Sequence, residues 1–229
     1  MSARAALFSR LALLGGAAAG LGLLEVPAPL GNHLASAAPA GWRAGEPPPR
    51  PWQISTEAGV KVVVAKLDDH DVWVELQDQS EIKGASLRQE FPALAAGRFS
   101  FRLKLAPDHL GDFGLYLGQG NASAPVERVV ELKIATRGAL QIGSGGQREK
   151  TPVSFTPGVT EWLYVDFRSV NGDLHLMLGR MGPPDDAPPL FETTVPQQGR
   201  PVTRLRLSTD NAPRGGHVFV TDLVLSPAG

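Results

Sequence analysis

From about Val60 to Pro227 apolar and polar residues alternate in short runs, most of them closed by Gly, Pro, Asn or Asp. Phe99, Phe101, Leu103 and Leu105 fall on one side of an extended chain. Ser100, Arg102 and Lys104 fall on the other, since successive strand side chains point to opposite faces. The rhythm returns in Val72-Val74-Leu76, Phe113-Leu115-Leu117, Val130-Leu132-Ile134, Leu163-Val165-Phe167, Leu174-Leu176-Leu178 and Leu205-Leu207. It predicts strands with one buried and one wet face, as two antiparallel sheets packed face to face require. About a dozen such strands are too many for an immunoglobulin-type sandwich and suit a two-sheet antiparallel β-sandwich of the jelly-roll type.

The breaks between runs are turns. Asn171-Gly172, set between Phe167-Arg168 and Leu174-His175, is the sharpest hairpin signal, because both central residues of a type I′ turn need positive φ. Gly182 to Pro189 is the longest interruption without strand character and reads as a surface loop.

The first 37 residues have another grammar. Arg4 and Arg10 precede Leu11 to Leu24, a run of only Leu, Ala and Gly, and Ala35-Ser36-Ala37 supplies small residues for a peptidase. This order reads as a bacterial signal peptide over 1–37, with an uncleaved anchor as the alternative. A membrane span needs about 20 apolar residues, and Glu25, Pro27 and Pro29 end this run sooner. Ser9-Arg10-Leu11 has one Arg where a twin-arginine signal needs two, which favours the general secretory route. Residues 38–51, with Pro47-Pro48-Pro49 and Pro51, read as a Pro-rich linker or edge lead-in, and 52–227 as one domain. The expected location is periplasmic or extracellular, with no membrane span after cleavage.

Charge adds exclusions. The first 37 residues hold two of the 22 Lys and Arg and one of the 23 Asp and Glu, leaving 20 basic against 22 acidic side chains. With Lys and Arg scattered singly along the strands, nucleic acid is not an expected partner. There is no Cys, so thiol catalysis and thiolate metal sites are excluded, and a core of this size needs no disulfides.

Four strings then carry a resemblance: Ala85-Ser86-Leu87-Arg88-Gln89-Glu90-Phe91-Pro92, Gly97-Arg98-Phe99-Ser100-Phe101-Arg102, Trp162-Leu163-Tyr164-Val165-Asp166-Phe167 and Val218-Phe219-Val220-Thr221-Asp222-Leu223-Val224-Leu225. Together they resemble the concanavalin A-like lectin and glucanase superfamily over Trp52 to Pro227. That superfamily holds lectins, laminin G-like modules, glycosidases and lyases, so the resemblance implies contact with glycans but no one activity.

Catalysis finds little support in the residues. Glucanases of this fold set carboxylates at alternate strand positions, whereas Glu75 and Asp78 are three apart and should point to opposite sides. Lyases need Tyr and His close together, and Tyr116, Tyr164, His175, Arg102 and Gln141 lie outside the Q-I-H and Y-x-K-A-G-x-Y strings of alginate lyases: Gln141-Ile142 is followed by Gly143. Asp68-Asp69-His70-Asp71 is a calcium candidate or a plain acidic turn; no other cofactor is implied. Asp222, in a run apolar on both sides and on the face of Val218, Val220 and Val224, needs backbone N–H groups, an Arg or a cation as partner.

If the apolar stripes face the core, Trp73, Tyr116 and Tyr164 face outward with Arg102, Glu131 and Asp166, a set suited to stacking sugar rings and bonding hydroxyls. The plainer account is cross-strand pairing on a wet sheet. The sequence therefore points to an exported, non-catalytic glycan-binding or surface-interaction domain. The alternatives are a polysaccharide-active lyase or glycoside hydrolase with an unrecognised site, and a structural envelope protein.

Overall fold

The computed structural model describes residues 42–55, 57–67, 72–80, 84–182, 188–210 and 215–228. The signal-peptide and calcium expectations, over 1–37 and Asp68 to Asp71, lie outside them, as does most of the Gly182 to Pro189 loop. Among the described residues fourteen strands run in chain order: β1 Gln53–Ile54, β2 Val60–Lys66, β3 Val72–Asp78, β4 Ser86–Leu94, β5 Ala96–Leu105, β6 Asp112–Gly118, β7 Arg128–Ile134, β8 Ala139–Ser144, β9 Gln147–Ser154, β10 Thr160–Val170, β11 Asp173–Arg180, β12 Phe191–Val195, β13 Val202–Asp210 and β14 Gly216–Pro227. They make two antiparallel seven-stranded sheets. Sheet A runs β1-β4-β13-β6-β7-β8-β9 and sheet B runs β12-β11-β10-β5-β14-β3-β2.

This is the sandwich the alternation predicts. Leu87, Phe113, Leu115, Leu132, Ile142, Leu205 and Leu207 of sheet A meet Val74, Leu76, Phe99, Phe101, Leu103, Leu163 and Val165 of sheet B in one core cluster, each 2% exposed or less. Burying each such side chain is worth about 1.5–3 kcal/mol, so the core, not the turns, carries the fold. The turns then fix register. Asn171 and Gly172 take φ of 53° and 87°, closing β10 on β11 with Val170 opposite Asp173. The described part of the Pro-rich lead-in lies along β2, where Gly45 N–H donates to Val64 O and Val64 N–H to Glu46 O, both at 2.8 Å. It thus covers a sheet edge that would otherwise offer free backbone groups.

One expectation needs correction. Asp222 does not share a face with Val218 and Val220. The β14 ladder shifts register against β5 between Thr221 and Val224, and Asp222 sits in that irregularity with φ of 50°. Val218 and Val220 point into the core before it, and Leu223 and Leu225 after it. The inserted residue is how a run apolar at both parities fills one core, and it turns the Asp222 carboxylate outward to Arg102.

At the sandwich end, His109 is 8% exposed and its Nδ1 accepts the His217 backbone N–H at 2.9 Å. Burial holds its imidazole below the ordinary value of 6.5. The unfolded chain therefore takes up this proton at a higher pH than the folded chain does. Stability from this group is complete above about pH 6.5 and is lost as pH falls toward the depressed folded value. Melting temperatures of the protein and of His109→Asn, taken from about pH 7.5 to about pH 5.5, should converge on acidification. Parallel curves would remove His109 from the pH response.

Candidate functional site

The strands divide the six expected glycan-binding residues between two opposite surfaces. Trp73 on β3, Arg102 on β5, and Tyr164 and Asp166 on β10 belong to the outer face of sheet B; Tyr116 on β6 and Glu131 on β7 belong to that of sheet A. They do not form one patch.

On sheet A the parity is as expected and the exposure is not. Tyr116 and Glu131 are opposite one another in register, and both are 0% exposed. Tyr116 lies flat on Gly114, where any Cβ would overlap its ring, and the Arg128 guanidinium sits 4.0 Å above the ring centroid. Both ring faces are thereby occupied. Glu131 accepts from Arg148 Nη1 at 2.9 Å and from the Gly146 backbone N–H, with Arg128 Nη1 at 3.7 Å. Alternation assigns a face but says nothing about what folds over it; here glycines let the Arg128 side chain and the β8–β9 turn settle onto the sheet. The expected outward presentation of these two residues is corrected accordingly.

Sheet B presents more to solvent. The Arg102 guanidinium lies 5.7 Å from the ring centroids of both Trp73 and Trp162 and pairs with Asp222, which answers the partner question raised by that carboxylate. Trp73 is covered, at 3% exposure, and Trp162 is open, at 42%. Tyr164 lies on Gly179 with Arg98 4.1 Å above its centroid, and Arg98 grips Asp166 through two bonds of 2.6 and 2.7 Å. The hydrogen bonds to Asp166 raise the Arg98 pKa above its ordinary value. Beside this pair a groove of about 720 Å³ opens over β12, β11, β10, β5 and the end of β14, lined by Arg98, Asp166, Arg168, His175, Met177 and Glu192.

Trp162 is a further member of this outer face, beyond the six expected residues. The signal was available, because Trp162, Tyr164, Asp166 and Arg168 alternate along β10 and share its outer face. The wider row, Thr160 to Arg168, meets β5 from Lys104 to Ala96 in register.

The geometry opposes the two catalytic arrangements weighed for this fold. Asp78 points inward, where burial pushes its carboxyl up and Thr209 Oγ1 and the Ser80 N–H bond it. Glu75 points outward to Lys61 at 2.8 Å and His217 at 3.0 Å, so the two carboxylates lie on opposite faces. Tyr164 pairs with Gly179, four residues from His175 along β11, a backbone separation of about 13 Å that keeps these two from acting together as acid and base. Among the described residues no group of three or more His, Asp and Glu could hold a metal ion.

No protein-family model and no curated protein matches this sequence. Solved structures do match by fold. A protein described as a sialidase aligns at a TM-score of 0.57 and 14% identity, over 77% of this chain but only 17% of its own length. An apo Crh5 transglycosylase aligns at 0.51 and 12% identity, over 78% of this chain and 79% of that one, and its complex with NAG gives the same values. The architecture is that of the concanavalin A-like jelly rolls, as the four strings implied. At such identities the likeness is one of fold.

Proposed function

We propose that this chain is a non-catalytic glycan-binding domain that acts outside the cytoplasm and holds a polysaccharide across the outer face of sheet B. The observation that carries the reading is the open ring of Trp162, braced by Arg102, standing on the same strand face as the Arg98 and Asp166 groove. An exposed indole stacks on the apolar face of a sugar ring, and the paired charges, His175 and Glu192 in the groove offer donors and acceptors to hydroxyls. Arg98 and Asp166 hold each other in place before any ligand arrives, which lowers the ordering cost of binding. Tyr164, with both faces covered, supports Arg98 and does not itself stack on a sugar.

Affinity electrophoresis of the full chain through gels containing soluble neutral polysaccharides tests this. Trp162→Ala should weaken retention by about tenfold, the scale of one lost aromatic contact, while the melting temperature stays nearly unchanged. Unaltered retention in the variant would remove sheet B from the account, and no retention of the unmodified chain on any polysaccharide would end the glycan reading.

A further inference from the structure

The sequence shows Lys and Arg singly spaced, yet the register of sheet A gathers three arginines. Arg88 on β4 stands directly opposite Arg206 on β13, and Arg206 stands opposite Tyr116 on β6. Arg204, two residues along β13, stands opposite Glu90. All three arginines are half-buried on the outer face, over a floor in which Tyr116 is 0% and Ser208 is 2% exposed. Glu90 and Asn121 engage Arg204. Among the described residues Arg88 makes no ion pair. Burial and the neighbouring Arg88 charge push the Arg204 pKa down.

Directly opposite cross-strand positions put Cβ atoms about 5 Å apart, where like charges destabilise a sheet. A fold that sets Arg88 directly opposite Arg206 brings two guanidinium groups side by side, a like-charge contact that a bound anion would offset. A guanidinium fork matches a planar carboxylate or a sulfate in two-point contact. Strands about 4.8 Å apart present such forks in a row across the sheet.

We infer that the outer face of sheet A binds an acidic polysaccharide, through its carboxylate or sulfate groups, at the arginine cluster of Arg88, Arg204 and Arg206. This site lies on the sheet opposite the groove and is independent of it.

Titration of the full chain at low ionic strength with polygalacturonate, its methyl ester, dextran sulfate and duplex DNA reads this out. At least one of the two acidic polymers should bind. The double variant Arg88→Gln/Arg206→Gln should weaken that binding by about tenfold or more, whereas Lys104→Ala, which removes a positive charge from the outer face of sheet B, leaves it unchanged. The ester should bind more weakly than the acid if carboxylate is the recognised group; tighter binding of dextran sulfate assigns the site to sulfate. Because the double variant relieves a like-charge contact, its melting temperature at low salt should hold or rise. Four results would overturn the inference: neither acidic polymer binding, full affinity in the double variant, duplex DNA bound as tightly as the acidic polymers, or a loss of stability on the scale of a core substitution.

Discussion

Phe101→Ala should lower the unfolding free energy by about 3–5 kcal/mol, the cost of removing a large ring from a packed interior. Phe101 is 0% exposed on β5, which lies between β10 and β14 in sheet B, and it stacks on Phe99 with centroids 5.4 Å apart and planes at 28°. Leu163 stands opposite it. Neither sheet can close on the space, because every neighbour is held by a ladder on both sides. Lys104→Ala, on the same strand but the outer face, should change stability by no more than about 0.5 kcal/mol. Arg102 is not a fair comparison: Asp222 is 8% exposed, and losing its guanidinium partner would leave a largely buried carboxylate. Denaturant titrations of the two variants check the assignment of faces, and equal losses would contradict it.

The second large effect lies on the opposite surface. Glu131→Ala should cost about 3–5 kcal/mol, since it removes the acceptor shared by Arg148, the Gly146 N–H and Arg128 and leaves those donors without it. Glu131→Gln keeps the shape and one acceptor and should cost less. Because the carboxylate is fully buried, the loss should persist at high salt, where an exposed pair would be screened. A Glu131→Ala variant as stable as Lys104→Ala would mean that Glu131 is solvated, and that the cover given to it by the β8–β9 turn is wrong.

Both cases show where the sequence is legible. Period-two alternation is local, and it identifies Phe101 and Glu131 as inward and outward without any tertiary knowledge. The Asn171-Gly172 turn is equally local, since its positive φ values follow from residue type. Burial of an outward residue is not local. Tyr116 and Glu131 are covered by Arg128 and by the turn at Gly146, contacts set by how glycines at 114 and 143 let neighbouring groups descend. The bulge at Asp222 hides for a related reason: it slips parity by one residue, and a strand apolar on both sides gives no cue as to where. The arginine cluster is the extreme case, because Arg88 and Arg206 are 118 positions apart and meet only through the pairing of β4 with β13. Trp162 was readable from alternation along β10; what alternation omits is that Trp73, its counterpart across Arg102, is covered while Trp162 is open.

The central claim is that this domain holds glycans without altering them. A glycan array probed with the full chain, read in parallel with reducing-end and unsaturated-product assays on every glycan that binds, tests it most directly. The account predicts retained glycans, loss of the neutral ones in Trp162→Ala, and no product above the background of a heat-denatured control. New reducing ends or unsaturated products formed by the chain would make it an enzyme and contradict the account.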